Sequence, residues 1–148
     1  MSIWNRFQRL SKIVRRELLP ALAEQNLAIT HEEEQAAGDD AVEVEGGELR
    51  LRLQRDRGDV LVALGSIHDR NTWFDLDVVT ENFGIEVSPV RDSRDPSQVI
   101  AQLVKLLKSS WRELTLRFDA NHFQRTIEEL AAFRDARTAA RIQGSEPR

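Results

Sequence analysis

The sequence predicts an α+β fold: an N-terminal helix, an antiparallel meander of three or four strands, and then three helices packed on one sheet face. Apolar and polar residues alternate with a period of two from Glu48 to Gly65, which is typical of strands. Apolar residues recur at helical spacing before and after that stretch. Strands grouped ahead of helices favour the α+β class.

The alternating stretch predicts two hairpins that share one buried face. Gly46-Gly47 accepts the positive φ of a two-residue turn, and a four-residue turn is expected at 55–58. The apolar side chains of the three strands then fall on the same side of the sheet. The expected pairs are Val44 with Leu49, Val42 with Leu51, Leu53 with Val60 and Leu51 with Val62. A weaker strand signal covers 27–30, and the acidic segment 31–40 is expected to form a loop.

The first helix is expected to begin at Ser2, to carry one apolar stripe, and to stop or kink at Pro20. Aromatic and aliphatic spacing predicts a short helix over 73–83 that ends at Gly84.

Asp95-Pro96-Ser97-Gln98 is a strong helix start, because it combines a capping carboxylate with proline at the first helical position. This helix is expected either to be continuous or to break near Ser109-Ser110. A second capping signal at 121–124 begins the last helix.

A chain of 148 residues fits one domain. We expect that domain to span residues 1–144, with a disordered polar tail at 145–148. The sequence contains no cysteine and no long apolar run, which favours a cytoplasmic protein without disulfides, thiolate metal sites or a membrane span.

Charge is distributed unevenly along the chain. Residues 1–20 sum to +4, residues 21–95 to −11 and residues 96–148 to +3, which together give the net charge of −4. The basic helices could neutralise the acidic sheet within one fold, or the acidic region could attract a basic partner.

The leading functional hypothesis is a non-catalytic protein-binding module that uses acidic surface against a basic protein partner. No cofactor and no catalytic residue are expected under this hypothesis. The candidate partner-binding residues lie in the acidic stretch and in the segment after the last predicted strand: Glu32, Glu33, Glu34, Asp39, Asp40, Glu43, Glu45, His68, Asp69, Arg70 and Asp75.

The alternative from a different class is a small metal-dependent enzyme. His68, Asp69, Asp75 and Asp77 form the densest titratable cluster, and an imidazole with carboxylates can bind a divalent ion. Their spacing matches no metal-binding signature, and capping of the following helix explains the same aspartates. The glycines form neither a dinucleotide-binding nor a phosphate-binding motif.

Nucleic acid and membrane are not the favoured partners. The arginines of the central hairpin lack interleaved aromatic residues, and a pI of about 5.4 is unfavourable for phosphate-driven binding. The apolar stripe of the first helix is explained by packing on the sheet. A homodimer remains open, because Leu61 and Ala63 are expected on the outer sheet face.

The run Asp56-Arg57-Gly58-Asp59-Val60-Leu61-Val62, followed by Trp73-Phe74-Asp75-Leu76, resembles small uncharacterised bacterial proteins, some of them similar to immunity proteins that neutralise toxin domains. The resemblance covers the hairpin through the short helix. It implies a small α+β fold and a binding role, and it assigns no catalytic residue.

Overall fold

A computed structural model describes residues 8–34 and 38–143 of the chain. Its centre is a five-stranded antiparallel sheet in which every strand lies beside its neighbour in the sequence. The strands are β1 (Ala28–Glu34), β2 (Asp40–Gly46), β3 (Leu49–Asp56), β4 (Asp59–Ser66) and β5 (Asp69–Asp75).

Helices precede and follow this sheet. The first, α1 (Leu10–Ile13), continues through a π-helical turn (Val14–Leu18) and a 3-10 segment (Pro20–Gln25). After the sheet come α2 (Leu76–Phe83), α3 (Pro96–Arg117) and α4 (Phe123–Ile142). The α+β class and the antiparallel sheet are confirmed, although the number of strands differs from the expected three or four.

The inner face of the sheet forms the core with the helices. All eight predicted apolar residues of this face are buried: Val42, Val44, Leu49, Leu51, Leu53, Val60, Val62 and Leu64. They belong to one cluster with buried side chains of every helix, among them Leu10, Val79, Leu103 and Leu130. The period-two pattern therefore identified the buried side of the sheet.

The predicted pairing within that face was wrong by two residues in both hairpins. Val44 lies opposite Leu51, and Leu53 lies opposite Val62. The first turn is at Gly47 and Glu48, and the second is at Arg57 and Gly58, because two-residue turns close both hairpins. A shift by two residues leaves each side chain on its predicted face, so the core composition is unchanged.

Two segments that were expected as loop or helix are strands. Residues 31–34 of the predicted loop 31–40 belong to β1, with a bulge between Ile29 and His31, and Asp40 begins β2. Trp73 and Phe74 lie in β5, and α2 begins only at Leu76. β2 and β4 each have an edge that can pair with a further strand, and β1 and β5 form backbone hydrogen bonds there. This pairing outweighs the weak loop and helix signals of the two segments.

After the sheet, the helix ends follow the sequence signals, and before it the helical geometry changes at Pro20 as expected. Asp95 accepts a hydrogen bond from the Ser97 amide at 3.1 Å, and α3 continues unbroken past Ser109. Gly84 ends α2 with φ +69°. Arg9 is extended, and the helix that the structure describes begins at Leu10; the expected start at Ser2 lies outside the described residues. The predicted tail at 145–148 also lies outside them.

Among residues 8–34 and 38–143, no helix is both long enough and apolar enough to cross a bilayer.

Candidate functional site

The eleven predicted partner-binding residues do not form one surface. They fall into five places: the edge strand β1, the start of β2, the outer sheet face, the start of β5 with its preceding turn, and the end of β5.

Glu32 and Glu34 on the β1 edge are exposed and Glu33 is part-exposed, but each has a basic neighbour. Glu32 pairs with Arg15 at 3.1 Å, and Glu34 pairs with Arg9 at 2.8 Å. Glu33 lies 3.2 Å from His31 and 3.6 Å from Arg52. The acidic run of the sequence is thus largely neutralised by residues from α1 and β3.

These contacts lower the pKa values of two carboxyl groups on β1. Hydrogen bonds from Ser11 and then Arg15 lower the pKa of Glu32. The hydrogen bond with His31 lowers the pKa of Glu33. Both carboxylates are therefore ionised at neutral pH.

Asp39 and Asp40 differ in their availability to a partner. Asp39 is part-exposed and accepts a hydrogen bond from the Arg57 amide at 3.2 Å. Asp40 is only 8% exposed, and its Oδ2 accepts a hydrogen bond from the Leu10 amide at 2.7 Å. Asp40 thus supplies the N-terminal cap of α1, because Arg9 at the capping position has no side-chain bond to it.

Glu43 and Glu45 belong to an ion-pair network on the outer sheet face. Arg52 pairs with Glu43 at 2.6 Å, and Arg70 pairs with Glu45 through two nitrogens at 2.6 and 3.1 Å. The hydrogen bond from Arg70 lowers the pKa of Glu45. The network contains three glutamates and three arginines: Glu33, Glu43, Glu45, Arg50, Arg52 and Arg70. Its formal charge is zero, so this face is not an acidic patch.

His68 lies in the turn between β4 and β5, and Asp69 and Arg70 begin β5. His68 Nε2 lies 2.6 Å from Glu48, and the His68 ring packs against Phe123. Asp69 accepts hydrogen bonds from the Asn71 amide and the Thr72 hydroxyl within β5. These contacts are structural.

Ser66 is the hydroxyl nearest in sequence to His68, but it is not arranged as a nucleophile. It is 1% exposed, donates to the Phe118 carbonyl at 2.6 Å and accepts from the His68 amide at 3.1 Å. The His68 ring instead faces Glu48, so no base is positioned to activate the hydroxyl.

The four residues of the metal-enzyme alternative are not brought together. Asp69 begins β5 and Asp75 ends it, roughly 20 Å away at about 3.3 Å per residue. His68 lies in the turn before β5, and Asp77 lies in the first turn of α2. Asp77 also pairs with Arg137 at 3.3 Å. Within the described residues, no group of three histidine, aspartate or glutamate side chains could hold a metal ion.

The sequence reasoning missed a groove of about 510 Å³ beside the first half of β4. The pairing of β4 with β5 begins only at Ala63, and the chain segment between α2 and α3 lies next to the remaining edge. We call this feature the apolar groove. Its apolar lining consists of Val60, Val62, Leu76, Val87, Val90 and Val99, and Leu61 contributes from the outer face.

Two exposed carboxylates, Asp75 and Asp77, are the charged residues among those that line the apolar groove. The segment above the groove is anchored at both ends, since the Ile85 amide donates to Thr80 and the Val60 amide donates to Ser93 at 2.8 Å. The sequence did contain a signal for this groove: β4 is apolar on both sides, and Val87 and Val90 are spaced along a connector without helical pattern.

No protein-family model matches the chain, and neither the curated proteins nor the solved structures include a significant match.

Proposed function

We propose that this protein is a non-catalytic protein-binding module, and that the apolar groove receives an apolar side chain of a protein partner next to a basic residue. The observation that carries the proposal is the combination of an apolar lining with carboxylates at its margin. A cavity of about 510 Å³ is within the size range of ligand sites, which combine apolar walls with few polar groups.

Charge complementarity defines the partner's chemistry. Asp75 is exposed and has no ion pair among the described residues, whereas Asp77 is already paired with Arg137. A lysine or arginine beside the inserted apolar residue would find its counter-charge at Asp75. This keeps the basic partner of the sequence hypothesis, which placed the contact on 31–48 and on the 66–77 segment, and limits the contact to the apolar groove with the predicted residue Asp75.

A neutraliser of a basic toxin domain is one form of this proposal. The resemblance of the hairpin and short helix to immunity-like proteins favours it, and Asp75 and Leu76 belong both to that resemblance and to the groove. Binding at the groove can be measured without an identified toxin.

The experiment uses short synthetic peptides and the full chain. A peptide with one leucine flanked by lysines is titrated while amide chemical shifts are followed, beside a matched peptide with glutamates in place of the lysines. We expect the lysine peptide to shift the amides of Val62, Leu76 and Val87. Affinity should decrease with salt, because the charged part of the contact is exposed.

Charge reversal gives the decisive comparison. Asp75→Lys should weaken binding by about threefold to tenfold, which corresponds to roughly 0.7–1.4 kcal/mol. The matched control is Asp135→Lys, which changes an exposed aspartate of α4 whose side chain is 76% exposed. Equal affinity of both peptides, or shifts confined to other regions, would refute the proposal.

A second candidate is a homodimer in which another copy covers the apolar groove. Leu61 favours it, because this side chain is 51% exposed at the margin of the groove. Sedimentation distinguishes the two: a mass of 17.0 kDa across the concentration range would exclude the dimer, and a dimer that Leu61→Lys dissociates would support it.

A further inference from the structure

The wall that β4 contributes to the apolar groove is an unpaired strand edge. On one side, β3 pairs with all of β4, from Asp59 to Ser66. On the other side, the pairing with β5 reaches only to Ala63, because the chain leaves the sheet where α2 begins at Leu76. Within the described residues, no strand therefore pairs with Val62 on this side. Unpaired strand edges are templates for the addition of a further strand.

Two main-chain groups of this edge point toward the apolar groove. The Val60 amide donates to the Ser93 carbonyl of the connector, so it points away from β3. In an antiparallel pair, successive residues direct their N–H and C=O groups alternately to the two sides of the strand. The Val60 carbonyl and the Val62 amide therefore also point away from β3, toward the groove that both residues line. They are an acceptor and a donor at the spacing that an antiparallel strand matches.

An added strand would place its side chains on two different surfaces. A residue opposite Leu61 would lie on the outer face, where Leu61 is 51% exposed. Its two neighbours would point to the inner side, against the apolar walls formed by Val60 and Val62. Asp75, the last residue of β5, lies on the outer face because it is paired with Ala63. Its carboxylate is exposed and has no ion pair among the described residues.

The position of Asp75 determines the chemistry of the residue opposite Leu61. The added strand would be collinear with β5, so this residue and Asp75 would lie two positions apart on one face, about 7 Å at about 3.3 Å per residue. A lysine side chain spans that distance, and its aliphatic stem would cover Leu61 while its ammonium group reaches Asp75. The two flanking residues must be apolar, because they enter the groove.

We propose that the apolar groove binds an extended polypeptide segment with the pattern apolar–lysine–apolar, which adds to the free edge of β4 as a short antiparallel strand. The residue after the lysine donates its N–H to the Val60 carbonyl, and the residue before it accepts a hydrogen bond from the Val62 amide. The lysine pairs with Asp75. This inference rests on the proposed function, and it adds that the partner is recognised through its main chain as well as its side chains.

The test titrates the full chain with peptides of equal composition and charge, and follows the amide resonances of Val62 and Leu76. One peptide has the order leucine–lysine–leucine between two serines, and the permuted peptide has the order leucine–leucine–lysine. Two further versions of the first peptide carry one N-methyl group each, on the second leucine or on the lysine. The second version is the matched control, because the lysine N–H points away from β4 in the proposed pairing.

The ordered peptide should bind about threefold tighter than the permuted one, because only its lysine lies on the face of Asp75. N-methylation of the second leucine should weaken binding by about tenfold, because it removes the hydrogen bond to the Val60 carbonyl and places a methyl group against the strand edge. N-methylation of the lysine should change the affinity by less than about twofold, since no hydrogen bond to β4 is lost.

The outcomes distinguish this inference from the proposed function. Groove shifts that depend on the lysine but respond equally to both N-methyl groups would refute main-chain pairing and leave the proposed function standing. Equal affinity of the ordered and permuted peptides would refute the alternating pattern. No shift at the groove with any peptide would refute both proposals. If a second copy of the chain fills the groove, peptide binding will weaken as the protein concentration rises, and this result would also overturn the inference.

Discussion

The guanidinium carbon of Arg50 lies 4.3 Å from the ring centroid of Trp73 on the outer face of the sheet. Gly65 makes this contact possible, since a Cβ at that position would meet the Thr72 carbonyl at 2.8 Å and the Trp73 ring at 3.4 Å. Arg50 is therefore only 5% exposed although it lies on the face opposite the core. Arg50 therefore connects the ion-pair network of β2 and β3 to Trp73 on β5.

Replacing Arg50 should destabilise the protein more than its position outside the core suggests. Arg50→Ala removes the contact with Trp73 and leaves the part-buried Glu43 and Glu45 with one basic neighbour fewer. We expect a loss of about 1–3 kcal/mol in the free energy of unfolding. Chemical denaturation measures it, with Arg91→Ala, an exposed arginine of the connector, as the control. A loss within about 0.5 kcal/mol, the usual range at surface sites, would mean that the network contributes nothing.

Gly65→Ala tests the close approach between β4 and β5. The added methyl group must displace the Thr72 carbonyl or the Trp73 ring, so we expect a loss of about 1–3 kcal/mol, typical of overpacking. Near-ultraviolet circular dichroism should change as well, because the surroundings of Trp73 change. Gly38→Ala is not a suitable control, because its positive φ adds strain. Ala63→Gly, on the same strand and face, provides the comparison.

The core assignment makes the most direct prediction. Leu51 is fully buried at the centre of the inner face, and Leu51→Ala should cost about 2–5 kcal/mol. Leu61→Ala on the neighbouring strand removes the same atoms from a side chain that is 51% exposed, and should cost far less. Equal losses for the two variants would contradict the assignment of faces.

Capping of α3 gives a fourth prediction. Asp95→Ala removes the acceptor for the Ser97 amide and should cost about 1 kcal/mol. Asp95→Asn should recover most of the stability, since an amide oxygen can accept the same bond. The midpoint of urea denaturation reports both changes, and failure of the asparagine variant to recover would assign the loss to another contact of this buried carboxylate.

Stability should depend on pH in a direction set by Glu45. Its pKa is lowered in the folded state by the hydrogen bond from Arg70, so its stabilising contribution is complete above the ordinary glutamate pKa. That contribution is lost as pH falls through the lowered folded value, because the protonated carboxyl no longer attracts Arg70. We expect the free energy of unfolding to fall below about pH 4.3, the ordinary glutamate value.

Glu45→Gln tests the contribution of Glu45 to the pH dependence of stability. It should make the acid dependence of stability less steep while lowering stability at neutral pH, and Glu128→Gln, on the exposed side of α4, should change neither. Denaturation curves across the acid range measure the slope. An identical slope in wild type and Glu45→Gln would show that this pair does not contribute to acid sensitivity.

Several features of this protein follow from the sequence alone. The period-two alternation determined which side chains of β2, β3 and β4 face the core, because a strand has only two faces. The cap at Asp95 and the glycine at 84 determined two helix ends, because those signals act through the backbone of adjacent residues.

Other features were decided by the tertiary structure. The sequence predicts Glu43 and Glu45 as part of an acidic surface. In the fold, arginines from β3 and β5 neutralise them. These neighbours are determined by the order of the strands in the sheet. The predicted strand register differs from the observed one by two residues. An even shift keeps every side chain on the same face, so the apolar pattern cannot distinguish these registers, and the position of the turn decides between them. Asp40 is a loop carboxylate in sequence and a buried cap in the fold, because its partner, the Leu10 amide, is 30 positions away.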